Sequence, residues 1–511
     1  MKLKQWIAIL LACVMLASVP AGLADAESVL NIGGSVTLAA LGPFQSMTIC
    51  GAAFYTLYET LGNRGPNGEM IGCIAKEWKP LDEVNYEVTI YDNVYDSVGN
   101  HITAADVVYC YEQMLSVMPA ATYDTLEYVD DTTFHIHMVS NTIGAIEAAL
   151  LEVPIVSKAE YEKSADMMAS NPVSSSHYVV SDFVPGTSLS FVRNEDYWQK
   201  DESLIAPNSK ANYDKVNFLS IPEASQQTIA LVTGKIDVME SMDVSQMFDF
   251  LEGGSRANDY TVISGGNVSG TIYTLYFSGT ENSLLRDDVN LRKAILHAID
   301  RNGVAMGSTG GLSSPCNMYG IMGIAPEDYP DYYDAEGGYN TYDVELAKEY
   351  LAKSNYQGQK LRFLSYSGDK ISQIISSYLS VIGVQVEIST PDLAIYQQNY
   401  ADPTGWDLSL CRNSVDYNTN FWYKQYRTNA NGVNRHGWAD TELSELATYA
   451  NTVNGHTQEN VNKVSRMLDE QAYGEALYIV DFYCVSNNDV KISDVIWTRT
   501  HYIPYWACST K

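Results

Sequence analysis

Ile102-Thr103-Ala104-Ala105-Asp106-Val107-Val108-Tyr109 opens the clearest helix in the chain. A threonine followed three residues later by an aspartate, just ahead of an apolar run, is the pattern of a capping box. Val107, Val108, Tyr111, Met114 and Leu115 then fall on one face. Upstream, Tyr86, Val88 and Ile90 alternate with polar residues, which predicts a half-buried strand. Downstream, Asp288 caps a second predicted helix with Leu291, Ala294, Ile295, Ala298 and Ile299 on one stripe. A third runs from about Asp440, with Leu443, Leu446, Ala447 and Ala450 facing inward. Turn-rich joints such as Asn63-Arg64-Gly65-Pro66-Asn67-Gly68 and Val184-Pro185-Gly186-Thr187 separate such segments. Helices and strands are mixed throughout, with no regular βαβ period and no internal repeat. The pattern predicts an α/β or α+β chain.

The chain has 511 residues, too many for one compact core, so several domains are expected. It carries 31 Lys+Arg against 62 Asp+Glu, a formal net charge of -31. That balance excludes a protein that works by neutralising nucleic-acid phosphate, and also a polybasic membrane-surface binder. With 37 Tyr, 8 Trp and 12 Phe, the chain is too aromatic to be a solvated coil.

The first 26 residues read as a signal peptide. Lys2 and Lys4 give a positive start, Trp6 to Val19 an apolar stretch too short to span a bilayer, and Pro20 ends it. Ala24-Asp25-Ala26 supplies a cleavage site. The rival reading lipidates Cys13 within Leu10-Leu11-Ala12-Cys13, but the apolar run continues through Val14, Met15 and Leu16. The mature protein is therefore expected outside the cytoplasm, in the periplasm or at the cell surface. Losing Cys13 takes the eight cysteines to seven: Cys50, Cys73, Cys110, Cys316, Cys411, Cys484 and Cys508. An odd number leaves at least one unpaired, no C-x-x-C pair exists, and the pairing stays open.

No G-x-S-x-G, H-E-x-x-H, P-loop or G-x-G-x-x-G motif is present, so an enzyme has no positive support and no cofactor is expected. His135 and His137 share one strand face opposite Phe134, Ile136 and Met138. They suit either a metal pair or, more commonly, a polar strand face. The acidic stretch Glu327, Asp328, Asp331, Asp334 and Glu336 does not follow EF-hand spacing and reads as a solvated loop.

Several blocks, in order, resemble the bacterial extracellular solute-binding protein family 5, the dipeptide-, oligopeptide- and nickel-type receptors of ABC importers. Leu57-Tyr58-Glu59-Thr60-Leu61 with Ala75-Lys76-Glu77-Trp78 resembles its first block, and Thr103 to Val107 its helix start. His177-Tyr178-Val179, Phe183-Val184-Pro185-Gly186 and Arg193-Asn194-Glu195-Asp196-Tyr197-Trp198 follow its "Y … PG … RN-x-x-YW" stretch. Ala230 to Val238 matches "AL-x-x-G-x-ID". Asp288 to Ile295 with Ala298-Ile299-Asp300-Arg301 matches "DVRVR-x-AI … AIDR", and Tyr342-Asp343 with Ala347-Lys348 and Leu351 matches "YD … AK-x-L". Together these span nearly the whole mature chain.

The resemblance implies an α/β, two-lobed periplasmic-binding-protein type II fold with an extra inserted domain, three domains in all and discontinuous in sequence. It places lobe 1 at 27–65, 172–269 and 486–511, the small inserted domain at 66–171 and lobe 2 at 270–485. It implies a monomer that binds a short peptide between the lobes and passes it to ABC permease subunits, with no nucleic-acid partner. Val415-Asp416-Tyr417-Asn418 resembles the family's "ADYN" segment, whose aspartate grips a peptide ammonium. A desolvated ammonium needs a hydrogen-bonded carboxylate, and Asp416 fits that need, although an aspartate there also suits a turn cap. Tyr417, Asn418, Trp406 and Trp422 are candidate pocket residues, together with the aromatic neighbours Phe421, Tyr423 and Tyr426, which suit a core equally well. Arg412 is a candidate for a ligand carboxylate. Three positions depart from the pattern: Leu41-Gly42-Pro43 in place of "LDP", Ser278 in place of Asn, and Glu475 to Val480 without "IP". The alternatives are the same fold around a nickel chelate or another small solute, and an exported hydrolase.

Overall fold

The computed structural model describes residues 27–44, 51–64, 69–117, 122–206, 209–264, 270–315, 341–414, 420–481, 483–492 and 504–510. The predicted signal peptide, Cys50, Cys316, the acidic stretch 327–336 and residues 415–418 lie outside them. Among the described residues no helix is long and apolar enough to cross a membrane.

Two sheets organise the molecule. The first has seven strands, in the order Tyr260–Ser264, Tyr483–Asn487, Val238–Met239, Val29–Gly34, Lys215–Ser220, Ser188–Arg193, Tyr178–Val184. The second has six, in the order Ser313–Pro315, Gly474–Asp481, Gly270–Phe277, Leu408–Ser414, Leu361–Leu364, Val386–Ser389. The chain passes between them twice, from Tyr260–Ser264 into Gly270–Phe277 and from Gly474–Asp481 back into Tyr483–Asn487. On each side of the crossing the same two strands pair antiparallel. These two antiparallel pairs, one on each side of the crossing, make up the ribbon between the sheets.

A third, four-stranded antiparallel sheet (Ala75–Pro80, Asn85–Ile90, Thr133–Met138, Tyr123–Asp130) carries the helix Ala104–Val117. Its buried Val88, Ile90, Val107, Phe134 and Ile136 belong to one continuous core with Leu30, Ile32 and Phe218 of the first sheet. The second sheet has its own core, built on Leu275, Ile295, Phe363, Leu410 and Leu468. Each fully buried side chain of this kind contributes about 1.5–3 kcal/mol. By packing, the molecule is thus two bodies: the first sheet plus the four-stranded sheet, and the second sheet.

Local signals act as the sequence predicts. The Thr103 hydroxyl and backbone N–H both donate to Asp106 Oδ2, at 3.0 and 2.9 Å. Val107 and Tyr111 are buried, while Val108, Met114 and Leu115 are half-buried. Asp288 accepts from the Leu291 N–H and Asp440 from the Leu443 N–H, each at 2.9 Å, starting the helices Val289–Ala298 and Thr441–Ala450. Leu446 is only half-buried, whereas Leu443, Ala447 and Ala450 are buried.

The blocks that carry the family resemblance build the frame. Glu59 is buried and accepts from the Tyr197 hydroxyl and, at 2.8 Å, from Trp198 Nε1. Asp237 accepts from the Asn31 N–H at 2.8 Å and from the Asn31 and Asn487 side-chain amides at 3.0 Å, tying three strands together. Arg292 donates to the carbonyls of Leu285, Arg286 and Gln471. Arg301 meets the buried Glu475 at 2.7 Å. Glu59, Arg292 and Glu475 are thus satisfied buried polar groups, the usual condition for polar atoms inside a protein. Two of the departures are structural as well. The Leu41 carbonyl accepts from the Tyr58 hydroxyl at 2.6 Å, and Ser278 donates to the Pro403 carbonyl at 2.6 Å.

His135 and His137 do share a face, with Phe134, Ile136 and Met138 buried opposite. His137 Nδ1 lies 2.7 Å from Asp124, and His135 lies 3.4 Å from Glu87 and 3.7 Å from Glu127. Among the described residues no three His, Cys, Asp or Glu side chains group to hold a metal. Cys73, Cys110, Cys411, Cys484 and Cys508 carry free thiols. Burial pushes the Cys110 thiol up to about 12, so it is inert.

Candidate functional site

The site follows from strand direction. In the first sheet Val29–Gly34 runs parallel to Lys215–Ser220 and to Val238–Met239. Tyr483–Asn487 runs antiparallel to Val238–Met239 and begins at the crossing, and Met242 N–H reaches the Tyr483 carbonyl at 2.9 Å. The carboxyl ends of the parallel strands, at Gly34, Ser220 and Met239, therefore lie on the side of the crossing ribbon. In the second sheet Leu408–Ser414 pairs with Gly270–Phe277 so that Ser414 opposes Thr271. Leu361–Leu364 runs parallel to Leu408–Ser414. Its carboxyl end also turns toward the ribbon. Open α/β sheets bind ligands outside the carboxyl ends of their strands, so the two sheets offer their binding edges to the same region.

On the second body this edge carries a row of side chains. Tyr478, Tyr273 and Arg412 are register neighbours across three strands. The Tyr273 and Tyr478 rings stack at 4.8 Å with 8° between planes. The exposed Arg412 guanidinium lies 4.7 Å over the Tyr366 ring. Burial and the neighbouring Tyr273 push the Tyr366 hydroxyl well above the usual phenol range, so it stays protonated. Residues 415–418, including Asp416, Tyr417 and Asn418, begin directly after Ser414 and lie outside the described residues. Trp406 is 1% exposed and Trp422 0%, both inside the core of the second body. Trp406 stacks on Tyr400 at 5.9 Å, and its Nε1 has no hydrogen-bond partner among the described residues. Tyr426 is likewise core, whereas Tyr423 lies partway to the surface, stacked under Arg427. Neither tryptophan reaches a surface from which a ligand is touched.

On the first body the edge carries Glu240, one residue beyond Met239. Its N–H donates to the Gly33 carbonyl at 3.0 Å, and its own carbonyl accepts from the Tyr505 hydroxyl at 3.2 Å. The carboxylate itself accepts no hydrogen bond among the described residues, and burial alone lifts it to about 7. An unpartnered acid with a shifted pKa at a strand's carboxyl end is a binding-site signature. Sequence reading stops two residues short of it: the recognisable block ends at Val238, and a single glutamate carries no pattern of its own. A second groove, lined by Gly279, Arg286, Tyr400, Trp438 and Tyr473, lies at the far end of Gly270–Phe277 from the ribbon. It touches only the second body.

Comparison with known proteins agrees with this architecture. The model of the bacterial extracellular solute-binding proteins, family 5 Middle, matches residues 69–434. The periplasmic murein peptide-binding protein MppA of Escherichia coli K12 is 22% identical over 501 residues, 88% of either chain. The nickel-binding protein NikA of Staphylococcus aureus is 20% identical over 460 residues, again 88% of either chain. The solved structure of the ABC transporter substrate binding protein CtaP from Listeria monocytogenes superposes with a TM-score of 0.78 at 18% identity, over 95% of this chain and 100% of that one. The fold is therefore the two-lobed α/β binding-protein fold, and the chain belongs to the bacterial extracellular solute-binding proteins, family 5.

Proposed function

We propose that the protein is an exported receptor that encloses a short peptide between its two bodies and hands it to an ABC permease, acting as a monomer without a cofactor or catalytic step. The observation that carries this reading is the crossing ribbon with the strand ends of both sheets turned toward it. A two-stranded hinge lets the bodies separate and close as rigid units. A ligand that touches both edges favours the closed form by its differential contacts; one that touches a single edge does not. In this reading lobe 1 comprises 27–65, 172–269 and 486–511, the insert 66–171 and lobe 2 270–485, after removal of 1–26.

Asp416 holds the peptide's ammonium, with Tyr417 and Asn418 beside it, and Arg412 takes a carboxylate. Trp406 and Trp422 support the second body from within its core. Main-chain hydrogen bonds supply affinity that is indifferent to side chains. The murein peptide-binding relative supports a peptide ligand, and the nickel-binding relative supports a metal chelate as the second reading.

A thermal-shift screen decides between them. A ligand at a hundred times its Kd stabilises the folded form by about 2.7 kcal/mol. Di- to pentapeptides are expected to raise the melting temperature, and nickel–histidine, free amino acids and sugars to leave it unchanged. A shift with nickel–histidine or a sugar and none with any peptide rejects the peptide reading. Cleavage of the added peptide rejects a pure binding role.

A further inference from the structure

The groove at the far end of Gly270–Phe277 from the ribbon is built for a ligand of one sign. It encloses about 920 Å³, within the usual range for a small-molecule site. Arg292 lines it and is 3% exposed. Its guanidinium lies 4.7 Å over the Trp438 ring and 5.5 Å over the Tyr473 ring. Its Nε donates to the Gln471 carbonyl at 2.8 Å, and Nη1 to the Leu285 and Arg286 carbonyls at 2.6 and 2.8 Å. These bonds serve the frame, and Nη2 is left over. Among the described residues Nη2 has no acceptor and no carboxylate pairs with the guanidinium. Burial lowers the pKa of Arg292 to about 10, so it stays charged near neutral pH.

Asn434 holds the same kind of unused capacity. It lines the groove and is 4% exposed. Its Oδ1 accepts from the His436 and Trp438 N–H groups at 2.9 and 3.1 Å, which fixes which end of the amide is which. Nδ2 is left with two N–H donors and no acceptor among the described residues. The next residue, Arg435, is exposed and stacks at 5.3 Å on Tyr400, with one long hydrogen bond, 3.4 Å, to Gln425. The acids that line the groove, Glu281 and Asp287, already face a cation, Arg286, at 3.4 and 3.7 Å. Buried polar groups are normally bonded. Here two of them, both against Trp438, hold back donors and no acceptor. What completes them is a ligand that brings acceptors and negative charge. In a chain of net charge -31, such a cluster runs against the general field.

We propose that this groove is a second ligand site, apart from the region between the bodies, and that it takes a small organic oxyanion. Arg292, Asn434 and Arg435 supply the donors for its carboxylate or phosphate group. The space is larger than an inorganic ion needs, and the Tyr400, Trp438 and Tyr473 rings line it as well, so it also offers apolar contact to the rest of the molecule. A ligand here touches one body alone and does not favour closure. The inference therefore stands or falls independently of what the two bodies enclose.

The test is calorimetric titration of the mature chain with four probes: benzoate, phenyl phosphate, inorganic phosphate and the cationic benzamidine. Benzoate and phenyl phosphate are expected to bind, inorganic phosphate more weakly than phenyl phosphate, and benzamidine not at all. Arg435→Gln, an exposed position, is expected to weaken benzoate about 10-fold. Arg412→Gln, which alters the other candidate anion contact, is expected to leave benzoate binding unchanged. If Arg435→Gln loses its cooperative melt, Ala439→Trp takes its place, since Ala439 is exposed and lines the groove, and the larger side chain is expected to block the probe. Absence of binding by both benzoate and phenyl phosphate overturns the site, as does equal binding of benzamidine. So does benzoate binding that is lost in Arg412→Gln, or kept in full by a folded Arg435→Gln or its replacement. Inorganic phosphate binding as tightly as phenyl phosphate overturns the organic character of the ligand. Failure of the peptide reading shows elsewhere, in the thermal-shift screen.

Discussion

Two acids of the first body, the buried Glu59 and the half-buried Glu240, behave oppositely. Glu59 is 4% exposed and receives hydrogen bonds from Tyr197 and Trp198, with the Cys73 thiol 3.5 Å away. Burial raises its pKa, and the Tyr197 and Trp198 bonds pull it back. Glu240, at the strand end beside the ribbon, has no compensating donor among the described residues, and burial lifts it to about 7. The contrast separates frame from site. Where the chain needs only to hold its shape, a buried charge is fully bonded. Where it is open to a partner, bonding capacity is left unused, at a cost in stability.

The largest expected effect lies on the frame side. Glu59→Ala leaves the Tyr197 hydroxyl and Trp198 Nε1 buried without an acceptor, and should destabilise by about 3–5 kcal/mol in urea unfolding. A loss below about 1 kcal/mol would break the comparison. Glu240→Gln should do the reverse. Its carboxyl is raised in the folded state, so the unfolded chain gives up that proton more readily. The stability it contributes is intact below the ordinary glutamate pKa of 4.5 and is lost as pH rises to about 7. The amide should therefore match the wild type at pH 4 and exceed it by roughly 2–3 kcal/mol at pH 8. Equal melting temperatures at pH 8 would show that Glu240 has a partner in solution.

Asp416→Ala sharpens the ligand side. It should weaken peptide binding by at least ~10-fold, about 1.4 kcal/mol, while leaving the unliganded melting temperature in place. Unchanged affinity in calorimetry removes Asp416 from the site. The smallest effect belongs to His137→Ala. Its pair with Asp124 is exposed on both sides, and such pairs contribute about 0–1 kcal/mol. A larger loss would mean that the polar strand face does more than meet solvent.

What was legible in the sequence follows the range of the interactions. Thr103 with Asp106, Asp288 with Leu291 and Asp440 with Leu443 bond across three residues, so the helix starts can be read directly. The alternation of Tyr86, Val88 and Ile90 is equally local. The family blocks were recognisable, but the role of each was not. Glu59 meets Trp198 across 139 positions, and Asp237 meets Asn31 and Asn487 across 206 and 250. No spacing rule reaches that far. The tryptophans picked out as pocket residues are core, because an aromatic at high density is more often filling space than meeting a ligand. Nor did the sequence indicate that the inserted sheet shares a core with the first one, since that depends on which faces meet.

The central claim is that the two bodies swing on the ribbon and close around a ligand at their facing strand ends. Solution X-ray scattering of the mature chain, with and without the peptide that gives the largest thermal shift, tests it most directly. The account predicts a fall in the radius of gyration at saturation, with an unchanged mass for a monomer. An unchanged radius at full occupancy, measured on the same sample by calorimetry, would contradict it.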